Sequence, residues 1–120
     1  MSVNDHRTKA TTDLFEVKPG PTPSSATFIF GNEDHTLGNV LRHVLMNRSE
    51  TEFCGYSVPH PYEPKMNVRL QVKKDHTAQS VLSAGLKDLE EAANVLDDEF
   101  VAALQRHDQR EKQQSKTHKR

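Results

Sequence analysis

The run from Thr77 to Arg106, TAQSVLSAGLKDLEEAANVLDDEFVAALQR, decides the fold. Ala78, Val81, Leu82, Gly85, Leu86, Leu89, Ala92, Ala93, Leu96, Phe100, Ala103 and Leu104 share one sector of about 140° when each residue advances about 100° around a helix axis. Lys87, Glu90, Glu91, Asn94, Asp97 and Asp98 occupy the opposite side, and no proline interrupts the run. The pattern predicts one long amphipathic helix of roughly 45 Å at ~1.5 Å per residue. A compact domain of about 80 residues is only about 30 Å across. The last ten or so residues of the helix must therefore overhang their own domain. Leu96, Phe100, Val101 and Leu104 are nevertheless apolar there. Each forgoes on the order of 1.5–3 kcal/mol if it stays in water. Such a stripe calls for a protein partner, the alternative being a helix that bends or frays near Asn94.

Working outward from this helix, Asn67–Lys73 alternates, with Val68, Leu70 and Val72 on one side and Arg69, Gln71 and Lys73 on the other, as a half-buried strand does. Glu52–Val58 sets Phe53 against Cys54, Tyr56 and Val58, and Pro59 ends it. Ala26–Phe30 is β-branched and aromatic and stops at Gly31-Asn32, a strand followed by a turn. Asp34 or Thr36 can cap a second, shorter helix in which Leu37, Val40, Leu41, Val44 and Leu45 make one apolar stripe. Asn39, Arg42, His43 and Met46 point away from it. Three strands and two helices define an α+β domain.

Gly38 and Gly85 lie inside the two helical patterns, where glycine costs ~1 kcal/mol relative to alanine. Gly38 admits two readings, a close helix contact or simple tolerance in the forgiving first turn. Gly85, on the apolar stripe of the long helix, implies close packing against a neighbour.

The chain has 120 residues, 33% hydrophobic and 28% charged, with one cysteine, no tryptophan and a net charge of −1. A single Cys54 excludes an internal disulfide, and no apolar run reaches the ~18 residues of a membrane span. The polar first residues show no secretory signal, so a soluble, reducing, intracellular setting is expected. Residues 1–25 end in the proline-rich stretch Pro19–Ser25 and read as a flexible N-terminal tail, with nothing in the sequence that marks Ser24 or Ser25 as modified. Residues 26–106 form the domain, and residues 107–120 read as a basic C-terminal tail.

Seven histidines are present, without the spacing of a metal site, so no metal is expected. Cys54 and His60 could be imagined as nucleophile and base, but a cysteine sharing a strand face with Tyr56 and Val58 reads as a small buried hydrophobe. Glu33-Asp34 suits a helix start without any chemistry. There is no glycine-rich phosphate loop and no cofactor site. The basic tail lacks interleaved aromatics, and sequence-specific nucleic-acid binding is not expected. The competing readings are a small homo-oligomeric α+β enzyme using Cys54 or His60, and a nucleic-acid module acting through the tail.

Asn32-Glu33-Asp34-His35-Thr36-Leu37-Gly38-Asn39-Val40-Leu41-Arg42 resembles the signature that opens the dimerisation domain of the small α-like RNA polymerase subunits. Phe53–Pro61 and Val68–Gln71 follow in that family's order and spacing, so the likeness runs from about Ala26 to Leu104. Phe53-Cys54-Gly55-Tyr56 and Ala84–Leu89 look closest to the members shared by eukaryotic RNA polymerases I and III, ahead of the RNA polymerase II and archaeal counterparts. The resemblance implies a small antiparallel sheet with one short and one long C-terminal helix. It also implies a heterodimer with a larger α-like subunit, a role in assembling the two large catalytic subunits, and a place in the nucleus and nucleolus. No active-site residue of its own is implied. Carried onto this chain, the heterodimer surface falls on Leu37, Val40, Leu41, Val44, Leu45, Leu82, Gly85, Leu86, Leu89, Leu96, Phe100 and Leu104. Asn39 and Arg42 are candidates for contact with a large subunit. A charge introduced at Leu41 or Val44 is expected to prevent pairing by entering a desolvated interface.

Overall fold

The structure, a computed structural model, describes residues 14–118. Strands β1 (Phe15–Pro19) and β2 (Ser25–Gly31) lead to helix α1 (His35–Met46). Strands β3 (Thr51–Ser57) and β4 (Lys65–Val72) then lead to helix α2 (Ala78–His118). The four strands form one antiparallel sheet in the order β1-β2-β4-β3. The chain divides into two compact units, residues 1–87 and 88–120, with α2 running through the boundary.

In the first unit, register aligns side chains of one sheet face in rows. Val17, Phe28, Val68 and Tyr56 are successive partners across the sheet, as are Pro19, Ala26, Leu70 and Cys54. Phe28, Met66, Val68 and Leu70 are completely buried. Leu41 and Leu45 of α1 and Ala78, Val81 and Leu82 of α2 close the core over that face. The strand alternation read from the sequence is thus realised in β3 and β4: Cys54 is buried and Phe53 is half exposed on the far side, its ring folded over Gly55.

Helix α1 starts where Asp34 Oδ1 accepts the amide of Thr36 at 3.0 Å, so the cap is Asp34 and not Thr36. Asn32, just before it, has φ 60°, a left-handed conformation that asparagine tolerates, and its amide donates to Pro64 O at 2.7 Å. Thr77 caps α2, its Oγ1 accepting the amide of Ser80 at 3.2 Å.

Both glycines prove to be packing positions, Gly38 included. A Cβ on Gly38 would collide with the Tyr56 ring and come 2.7 Å from Met66 Sδ; one on Gly85 would stand 2.5 Å from Leu45 Cδ2. The neighbour implied at Gly85 is therefore α1 of the same chain. Overpacking a full core costs about 1–3 kcal/mol, against ~1 kcal/mol gained from alanine's helix propensity. Gly38→Ala, facing an aromatic ring, is expected to lower stability by a net ~1–2 kcal/mol, read as a lower urea midpoint with unchanged slope.

The structure corrects the sequence reading at both ends. There are four strands, because β1 lies within the segment expected to be a tail. Its one half-buried residue, Val17, gives no alternation to read, but Phe15 stacks on Phe28 and sets its edge on Phe30, with ring centroids 6.1 and 5.2 Å apart. The proline-rich stretch is a closed turn. The amide of Gly20 donates to Ser25 O and that of Ser25 to Thr22 O. The Ser24 hydroxyl donates to His76 O at 2.9 Å, and the amide of Ala78 donates to Pro23 O, tying the turn to the start of α2. The remainder of that tail, residues 1–13, lies outside the described residues. At the other end, the segment 107–118, expected to be a tail, continues α2 as helix. It has no apolar residue to carry a periodic signal, but it also lacks glycine and proline and is rich in Gln, Arg, Glu and Lys, good helix formers. Residues 119–120 lie outside the described residues.

Candidate subunit interface

The apolar stripe of α1 is not one surface. Leu41 and Leu45, four residues apart, are fully buried in the chain's own core. Val40 and Val44 sit about 100° around the axis from them. Val40 is exposed, while Leu37 and Val44 are half-buried. Leu82 and Gly85 of α2 are likewise buried in the first unit, Gly85 against Leu45. Leu41, Leu45, Leu82 and Gly85, expected at the partner surface, therefore stand in the interior. The core needs their area because a single sheet face must be covered by two helices. Leu86, one residue on, is exposed.

Among the described residues the second unit is helix alone, and its apolar side chains are largely exposed. Leu89 is half-buried. Leu96 is 72% exposed and Phe100 63%, values of surface residues although both are large and apolar. Val95, Val101 and Leu104 are exposed as well. Val95, which falls outside the sector that contains Leu96 and Phe100, was not singled out by periodicity; only its exposure marks it. Scattered apolar residues on a surface need no explanation, but a contiguous apolar row marks an interaction site. Among the described residues no helix is long and apolar enough to cross a membrane.

The groups considered for chemistry are occupied otherwise. Cys54 is buried at the centre of β3, and burial pushes its thiol from the ordinary 9.0 up to about 11, the charge of Arg42 working in the opposite direction. A protonated thiol is not a nucleophile. His60 stands 3.6 Å from Glu63 on the exposed connection between β3 and β4, and His35 shares a 3.0 Å hydrogen bond with the Tyr56 hydroxyl. Among the described residues no group of His, Cys, Asp and Glu is arranged to hold a metal ion. Asn39 and Arg42 are exposed on the outer side of α1, as their place in the helical pattern required.

The raised thiol gives a direct expectation. At pH 8 the native chain carries about 100-fold less Cys54 thiolate than the unfolded chain, so iodoacetamide should label it at least that much more slowly. Stability depends on pH through the same proton. The unfolded chain loses this proton near pH 9 and the folded one near 11, so the contribution is complete below 9 and is lost as pH rises toward 11.

A sheet roofed by two helices, with an uncovered apolar helix face and reactive groups either buried or engaged elsewhere, defines a dimerisation module. The chain belongs to the RNA polymerase Rpb3/Rpb11 dimerisation domain family, whose model matches residues 25–99. It is 44% identical over 100 residues to the DNA-directed RNA polymerases I and III subunit RPAC2 of Schizosaccharomyces pombe, covering 82% of this chain and 80% of that protein. It is 48% identical over 82 residues to the DNA-directed RNA polymerases I and III subunit rpc19 of Dictyostelium discoideum, covering 68% and 71%. The fold matches that of DNA-directed RNA polymerase subunit L from Thermoplasma acidophilum with a TM-score of 0.67 at 21% identity, over 78% of this chain and 91% of that one.

Proposed function

We propose that this chain is the small α-like subunit of nuclear RNA polymerases I and III, acting by assembly and not by catalysis. It pairs with a larger α-like subunit, and the pair is the platform on which the two large catalytic subunits assemble for rRNA, 5S rRNA and tRNA synthesis in the nucleus and nucleolus. The observation that carries this reading is the exposed apolar row Leu96, Phe100 and Leu104 on α2, with Val101 exposed beside it. Relatives that align over most of the chain and are named as subunits of both polymerases support it. The partner surface is assigned to Leu37, Val40, Val44 and Leu86 on the first unit and to Leu89, Leu96, Phe100 and Leu104 on the second. Asn39 and Arg42 are assigned to a large subunit.

Sedimentation and helicity of the purified chain, alone and co-expressed with the larger α-like subunit, test the reading. The expected result is a stable 1:1 species for the pair and aggregation or reduced helicity for the lone chain. A discrete homo-oligomer that ignores the larger subunit would reject it. The enzyme reading would then require activity that disappears in Cys54→Ala, although the buried, protonated thiol already argues against that role.

A further inference from the structure

Residues 88–105 hold six carboxylates and no lysine, arginine or histidine. With about 100° per residue, Leu89, Leu96, Phe100 and Leu104 line one seam of the helix, with Glu90 and Asp97 bordering it on one side and Glu99 on the other. All three border carboxylates are exposed. None of the three enters an ion pair among the described residues.

We propose that this acidic border selects what covers the seam: a helix whose own apolar ridge is flanked by lysine and arginine, and not a second copy of this chain. The proposal rests on the pairing role given above and specifies the chemistry of the partner. Self-pairing of this seam on its counterpart in a second copy opposes residues 88–105 to themselves, whether the helices run parallel or antiparallel. The border carboxylates Glu90, Asp97 and Glu99 then meet their counterparts, with no lysine, arginine or histidine within residues 88–105 of either copy to relieve them. Sliding one copy until its acids reach Arg106, Arg110, Lys112 and Lys116 lays the seam on residues 105–118, which contain no apolar side chain. Each seam-on-seam register of a homodimer thus loses either the charge match or the apolar match, and a basic-flanked ridge satisfies both. Charges beside an apolar helix seam set partner choice in this way, by repelling the wrong pairing as well as favouring the right one. They also steer encounter, so formation of the correct pair should be fast at low salt and slow as salt screens it.

The test uses the full chain carrying Glu90→Gln, Asp97→Asn and Glu99→Gln, with matched helicity by circular dichroism as the control for folding and Glu99→Gln alone as a milder second variant. Sedimentation reads self-association, and association kinetics with the larger α-like subunit are taken at low and high salt. The expected result is self-association at least about tenfold tighter than that of the unsubstituted chain, together with about tenfold slower association with the larger subunit at low salt. Self-association that does not change on removing the carboxylates overturns the proposal. So does an association rate that keeps its salt dependence. If the unsubstituted chain fails to bind the larger subunit at all, the pairing role falls, and the self-association arm still decides whether the carboxylates suppress the homodimer.

Discussion

Leu96→Asp combined with Phe100→Asp is expected to abolish recovery of a 1:1 complex with the larger α-like subunit while leaving the thermal midpoint of the free chain nearly unchanged. Both side chains are among the most exposed apolar groups in the protein, so the free chain loses no core contact when they are replaced. In the complex each would bring a carboxylate into a desolvated seam. Large apolar anchors in such seams contribute about 2–4 kcal/mol each, so the pair of substitutions should weaken association on the order of a thousandfold or more. Pull-down from co-expressing cells, with circular dichroism melts of the free variant, measures both halves. A variant that still co-purifies at normal stoichiometry would place the interface elsewhere.

Leu41→Asp gives an equally large effect by a different route. Its side chain is completely buried beneath α1, in contact with no surface a partner could reach. An isolated carboxylate there must be desolvated or protonated, and the apolar volume of leucine is lost with it, a cost of about 4–5 kcal/mol or more. Domains are stable by only about 5–15 kcal/mol. The free variant should therefore be largely unfolded by circular dichroism before any partner is added. The expectation carried over from the family resemblance, that this change acts at an interface, gives the same loss of complex and a different reason for it. Val44→Asp, half-buried at the outer edge of the same stripe, separates the two explanations: it should fold and fail to pair.

That contrast shows what periodicity can and cannot read. A 3.6-residue repeat identifies which side of α1 is apolar, and it identified Leu37, Val40, Leu41, Val44 and Leu45 together. It carries no information on how a stripe wide enough for two neighbours is divided between them. The division depends on where the sheet lies, a long-range property set by the pairing of β2 with β4. The same blindness applies to Gly85, read correctly as a close approach, with the approaching residue, Leu45, supplied only by the fold. Alternation in β3 and β4 was legible because one face of each is buried and the other wet. Strand β1 was not, since at the sheet edge its contribution comes from stacking of Phe15 on residues of β2. The end of α2 was misplaced for a related reason. The apolar signal stops at Leu104 whereas the described helix runs on to His118, because backbone propensity and not burial maintains those turns.

The uncovered row on α2 also bears on how the cell must handle this polypeptide before it finds its place. A free chain displaying Leu96, Phe100 and Leu104 to water offers the kind of surface that chaperones hold and degradation systems recognise. Its lifetime as an orphan should be short and should lengthen with supply of the larger subunit, so that gene dosage of one member is buffered by turnover of the other. The steady-state amount of this protein would then report how much finished platform exists, not how much message is translated.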